Sequence, residues 1–65
     1  MFEMCDKVRI KDLGVTGEVI DVGDNYGVPY YLVETDDDFD GEDPRIVHRY
    51  GWAIFACRDD EIEAI

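Results

Sequence analysis

The sequence predicts an all-β protein built from one small, strongly bent antiparallel sheet. Residues 7–11 alternate polar and apolar side chains, the pattern of a strand with one face on a core and one in water. Residues 17–22 are rich in β-branched side chains, which favour strands. Residues 52–57 form a nearly continuous apolar run that is too short for a typical helix and lacks helical caps. These runs predict a five-stranded barrel.

The first two strands, near residues 7–11 and 17–22, form a predicted antiparallel pair. A short loop with Gly14 joins them, and Gly14 and Gly17 supply backbone angles that other residues resist. Residues 23–27, Gly-Asp-Asn-Tyr-Gly, are a dense turn signal. A third strand is therefore expected over residues 29–35, and Pro29, which has no N–H to donate, fixes where regular pairing begins.

The fourth strand has two candidate positions, residues 45–49 and residues 52–57. We expect the apolar run 52–57 to be the most buried strand. Acidic residues 59–61 suit the amino end of a single short helical turn. Residues 62–65 then pair with the first strand and close the sheet, so that no long edge is exposed. The predicted core consists of Val8, Ile10, Val19, Ile20, Leu32, Val33, Ile54, Phe55 and Ile62.

Two segments resemble the Src-homology-3-like (SH3-like) barrels. Residues 6–22, DKVRIKDLGVTGEVIDV, look like the opening of such barrels, including KOW-type modules, in which a G-D-x-V-x-V strand leads through a loop to G-x-V. Cys5 stands where that pattern has its first glycine. Residues 52–65 are similar to the close of these barrels, with an aromatic strand, an acidic turn and a last strand. The resemblance implies a single five-stranded SH3-like barrel over residues 1–65 and a bacterial or phage origin.

The composition favours a folded, acidic, monomeric domain. Hydrophobic residues make up 46% of the 65 residues, which is enough for a small core. The net charge of −11 repels phosphate backbones, so direct nucleic-acid binding is not expected, whereas a basic protein or peptide is an easier partner. No apolar run approaches the length of a membrane helix, and no signal peptide is evident. We therefore expect a cytoplasmic protein that does not bind membranes.

The residues with reactive side chains do not form a catalytic pattern. Cys5 and Cys57 are far outside any metal-binding spacing, and they are either free thiols in a reducing compartment or a pair joined across the barrel ends. His48, the only histidine, has no nucleophile at a motif-like spacing. We expect no enzyme activity, no catalytic residues and no cofactor.

An acidic run over residues 36–44, DDDFDGEDP, matches the first half of a calcium-binding loop. Asp36, Asp38 and Asp40 alternate and Gly41 follows, as such a loop requires. The twelfth position should hold a bidentate acid, but Val47 stands there. The favoured interpretation is a solvated, mobile loop with almost nothing to bury and no metal, and the calcium site is the alternative.

The aromatic residues and the acidic loop together are the candidate partner-binding site. Tyr30 and Tyr31 should point to opposite faces of their strand, so at least one is partly exposed. The candidate function is a non-enzymatic protein-interaction module, and the alternative is an acidic inhibitor that mimics nucleic acid and occupies a nucleic-acid-binding protein. Candidate partner-binding residues are Tyr26, Tyr30, Tyr31, Tyr50, Trp52, Asp37, Asp38 and Asp40.

Overall fold

The chain forms six β-strands and one short 3-10 helix in a computed structural model that describes residues 1–65. All strand pairs are antiparallel and form one sheet in the order β4–β5–β3–β2–β1–β6. The prediction of an all-β protein with a helical turn before the last strand is confirmed. The elements are β1 (Lys7–Ile10), β2 (Val15–Asn25), β3 (Val28–Thr35), β4 (Ile46–Tyr50), β5 (Trp52–Arg58), the 3-10 helix Asp59–Glu61 and β6 (Ile62–Ala64).

The sheet has six strands rather than the predicted five, because both candidates for the fourth strand are strands. Gly51, at a φ of +102°, reverses the chain between β4 and β5. β5 pairs with β3, so β4 pairs only with β5 and lies at the edge of the sheet. β6 pairs with β1 as predicted. However, no pairing joins β4 to β6, and the expectation that the sheet closes on itself was wrong.

The long strand β2 bends the sheet. Its register with β3 shifts between Val19 and Asp21, and such a bulge increases the local twist of a strand. The turn to β3 uses Tyr26 and Gly27 at φ values of +54° and +82°, as a two-residue hairpin turn with both residues left-handed requires. Near the start of β2 the backbones approach closely, since a Cβ on Gly17 would lie 2.4 Å from the Glu34 carbonyl oxygen.

The core lies on one face of the sheet and is formed by nine hydrophobic residues. Six of the predicted core residues are among them. Ile20, Leu32 and Ile54 were wrongly assigned, because they lie partly exposed on the other face while their neighbours point inward. The core residues are Val8, Ile10, Val19, Tyr31, Val33, Ala53, Phe55, Cys57 and Ile62.

No helix of this chain has the length and apolar character needed to span a membrane.

One end of the core is covered by the side chain of Arg45. Its guanidinium lies 5.8 Å from the centre of the Phe55 ring and donates hydrogen bonds to the carboxylates of Asp43 and Asp12. The Glu61 Oε2 atom lies 3.5 Å from Arg45 Nη1. The hydrogen bonds from Arg45 lower the pKa of Asp43 to about 2. A single cation therefore connects the β1–β2 loop, the β3–β4 loop and the 3-10 helix.

Candidate interaction surface

The face of the sheet turned away from the core exposes apolar and aromatic side chains. In β3 and β5 every second residue is buried, and the residues between them point outward and stay partly exposed. The strand register places outward residues of β3, β4 and β5 side by side. No other part of the chain covers these side chains completely. We call this surface the outer face. Glu34 and Arg58 lie on it, and its apolar and aromatic residues are Tyr30, Leu32, His48, Tyr50, Trp52, Ile54 and Ala56.

Three aromatic rings form a row at one end of the outer face. The rings of His48 and Tyr50 are 4.5 Å apart and nearly perpendicular, with 2.5 Å between His48 Nε2 and the Tyr50 hydroxyl oxygen. The Tyr50 and Trp52 rings are 5.3 Å apart at an angle of 37°. Tyr50 is 60% exposed and Trp52 is 39% exposed. The row, which we call the aromatic row, presents rigid amphipathic surface of the kind enriched at protein interfaces.

The acidic loop is bonded to the β4–β5 turn, and the expectation that it has almost nothing to bury was wrong, because Phe39 packs against the core. Phe39 packs edge-on against the core residue Phe55, with the ring centres 5.2 Å apart. The Phe39 N–H donates to the Gly51 carbonyl in the β4–β5 turn at 2.8 Å. Arg49 on β4 donates to the carbonyls of Phe39 and Gly41. The sequence analysis did not single out Phe39. This lone aromatic residue within a run of acids is the only sequence signal that the loop is anchored to the core.

The three alternating carboxylates of the calcium-like half-motif do not converge. Asp36 accepts hydrogen bonds from Lys7 Nζ at 3.1 Å and from Thr16 Oγ1 at 3.0 Å, and these bonds lower the pKa of its carboxyl. Asp36 therefore faces β1 and β2 rather than Asp38 and Asp40. No group of three or more His, Cys, Asp or Glu side chains is placed to hold a metal ion.

The structure places three of the predicted partner-binding residues, Tyr50, Trp52 and Asp38, at the β4–β5 turn. Tyr50 and Trp52 flank the β4–β5 turn, and the acidic loop is bonded to that turn through Phe39. An Asp38 carboxylate oxygen would be 3.1 Å from a Cβ on Gly51. Asp38 therefore lies at the turn that Tyr50 and Trp52 flank, and Asp37 and Asp40 are exposed on the same loop.

The other three tyrosines lie elsewhere. Tyr26 is fully exposed on the β2–β3 turn, at the opposite end of β3 from Trp52. Tyr30 is partly exposed, packs over Gly23 and borders a shallow groove of about 540 Å³. Tyr31 is fully buried and its hydroxyl donates to Asp59, so it offers no surface to a partner and was wrongly assigned to the binding site.

The charges of the surface are strongly unbalanced. Most of the six Lys and Arg side chains are engaged within the chain, and Arg49 is held by backbone carbonyls. Eight of the 17 acidic residues lie within ion-pair distance of a basic group, which leaves nine without one. These nine are Glu3, Asp6, Asp21, Asp24, Glu34, Asp37, Asp38, Asp40 and Glu42.

The two cysteines and the histidine differ in exposure and in their contacts. Cys5 and Cys57 are free thiols, the first exposed and the second buried. Burial raises the pKa of the Cys57 thiol to about 12, which keeps it protonated at neutral pH. His48 has the Tyr50 hydroxyl as its side-chain partner.

Comparison with known proteins found no matching family model, no similar curated protein and no similar solved structure.

Proposed function

We propose that this chain is a non-enzymatic module that binds an extended, basic segment of another protein next to the aromatic row. The observation that carries the proposal is the junction of two surfaces at the β4–β5 turn. Tyr50 and Trp52 supply exposed aromatic area, and Asp37, Asp38 and Asp40 supply charge without a basic partner. An extended segment with basic and apolar side chains suits such a junction, because its basic charges pair with the carboxylates while its apolar side chains pack on the aromatic rings.

We infer that the bent sheet is a small SH3-like barrel with one added edge strand, β4. The pairing of β1 with β6, the 3-10 helix before β6 and the bulged strand β2 support this. The proposed module acts as a monomer in the cytosol, where its two free thiols would persist.

Fluorescence of Trp52 tests the binding proposal directly, because it is the only tryptophan of the chain. Three extended peptides of one length, with lysine, serine or glutamate at alternate positions between valines, would be titrated against the protein. We expect the lysine peptide alone to shift the Trp52 emission. Tyr50→Ala should weaken its binding about tenfold, a typical loss for an aromatic anchor.

Tyr26→Ala is the matched control, since Tyr26 is fully exposed and lies at the other end of the sheet. The control should bind the lysine peptide as the parent does. Equal losses in Tyr50→Ala and Tyr26→Ala would exclude the aromatic row as the site. Equal binding of the glutamate peptide would contradict the preference for a basic segment.

A second candidate function is supported by the nine carboxylates that have no basic partner. Such a surface could imitate the phosphates of nucleic acid and occupy a nucleic-acid-binding protein. Binding of that kind should fall steeply as the salt concentration rises and should not depend on Tyr50, whereas binding at the aromatic row should depend on Tyr50 and change less with salt. A titration of Tyr50→Ala and Tyr26→Ala with the lysine peptide at low and moderate salt separates the two functions.

A further inference from the structure

Strand β4 is an open edge of the sheet. It pairs with β5 on one side only, and residues 47–50 are all exposed. None of the turn and loop hydrogen bonds uses a backbone group of these four residues. The N–H and C=O groups that β4 turns away from β5 are therefore without a protein partner, and such groups can pair with an added strand. The other edge, β6, has only three residues.

The two sides of the β4 edge differ in chemistry. Arg49 pairs in register with the buried Ala53, so its side chain points to the core side, where it holds the Phe39 and Gly41 carbonyls. This contact places the acidic loop along the core side of the edge. His48 and Tyr50 project from the opposite side, as part of the outer face. Carboxylates therefore flank one side of the edge and aromatic rings flank the other.

We propose that the partner segment adds to β4 as a seventh strand of the sheet. Because side chains alternate along a strand, every second residue of the segment would face the acidic loop and the others would face His48 and Tyr50. The segment recognised is therefore extended, with basic residues alternating with apolar ones. This inference rests on the proposed function and adds how the partner binds and which sequence pattern it carries.

The net negative charge of the chain favours a basic segment over a second copy of the chain at the β4 edge. Each copy has a net charge of −11, and an added β4 from a second copy would bring its acidic loop close to the first. Like charges so placed oppose association, whereas a basic strand neutralises them.

The test uses an eight-residue peptide that alternates lysine and valine, with the intact 65-residue chain labelled with nitrogen-15. Amide hydrogen exchange would be measured residue by residue with and without the peptide. We expect exchange of those Val47–Tyr50 amides that point away from β5 to slow about tenfold or more at saturating peptide, while exchange in β6 stays unchanged.

The matched control is the same peptide with N-methyl groups on alternate residues, along one of its two backbone edges. It keeps every side chain and charge but loses the N–H donors of that edge. Both N-methylation patterns would be tested, and the pattern that blocks the edge facing β4 should weaken binding at least about tenfold, as expected for the loss of two or more hydrogen bonds.

The possible results separate this inference from the proposed function. Slowed exchange in β4 together with sensitivity to N-methylation supports strand addition. A Trp52 emission shift with unchanged β4 exchange overturns strand addition and leaves binding at the aromatic row in place. No binding of the lysine peptide overturns both proposals. A dimer of the peptide-free protein in sedimentation, with β4 amides protected, would assign the edge to a second copy instead.

Discussion

Replacing Arg45 with methionine should destabilise the fold more than replacing any other basic residue, because the Arg45 side chain is only 16% exposed. Its main partner, Asp43, is 12% exposed and would be left without a counter-charge. Breaking a buried ion pair by removing one partner costs about 3–5 kcal/mol. Because both side chains keep some exposure to solvent, we expect Arg45→Met to lower the free energy of unfolding by about 3 kcal/mol. Asp12 is 63% exposed, and Asp12→Asn should cost less than about 1 kcal/mol.

The same cluster predicts a pH dependence. Hydrogen bonds from Arg45 lower the pKa of Asp43 from an ordinary 3.8 to about 2, which corresponds to about 2 kcal/mol at neutral pH. Because folding lowers this pKa, the stabilisation is fully present above the unfolded value near 4. It is lost as the pH falls through the folded value of about 2. The stability difference between the parent and Arg45→Met should therefore shrink by about 2 kcal/mol from pH 5 to pH 2.

Urea denaturation followed by Trp52 fluorescence measures these free energies, with Asp43→Asn and the double variant completing a cycle. The double variant should be more stable than the sum of the two single losses predicts, since the two groups contact each other directly. A larger loss in Asp12→Asn than in Asp43→Asn, or a parent–variant difference that does not change with pH, would refute the role assigned to Arg45.

Three further predictions concern the packing of the sheet. Phe55→Ala should lower the free energy of unfolding by about 3–5 kcal/mol, and Ile54→Ala by less than about 2 kcal/mol, because Phe55 is fully buried and Ile54 is partly exposed. Equal losses in urea denaturation would contradict the assigned faces of β5. Cys5 should react with a thiol reagent at pH 8 within seconds to minutes, and Cys57 only after denaturant is added, because Cys57 is buried and its pKa is about 12. Mass spectrometry that finds two fast thiols would refute this. Gly17→Ala should cost about 2 kcal/mol or more, since the new Cβ would lie 2.4 Å from the Glu34 carbonyl oxygen, and an unchanged melting temperature would show that the two strands can separate there.

The sequence predicted the strands whose residues alternate clearly and failed where both faces of the sheet are apolar. In β1 the alternation of Val8 and Ile10 with charged residues identifies the core face directly. In β5 the run is apolar throughout, so periodicity cannot tell that Phe55 is buried and Ile54 is not. The same ambiguity in β3 placed Tyr31 in the binding site, although it belongs to the core.

The candidate site was predicted in its parts but not in its geometry. Exposed aromatics and an acidic loop are visible in the sequence. Their meeting at Gly51 depends on bonds of Phe39 and Arg49, which connect residues eight to twelve positions apart. The composition of the loop indicates a solvated segment, because six acids surround the single phenylalanine that anchors it. The open β4 edge depends on which strand pairs with β3, and such long-range pairing leaves no local signal.

The two-residue turn at Tyr26 and Gly27 has a consequence for how the chain folds. It makes the β2–β3 hairpin local, whereas the contact between Arg9 on β1 and Glu63 on β6 spans 54 positions. Closing the longer loop costs more chain entropy before any contact compensates it. We therefore expect the central hairpin to form early in refolding and β6 to join last. The strand that completes one side of the sheet would also be the first to detach in the native protein, well before the core opens.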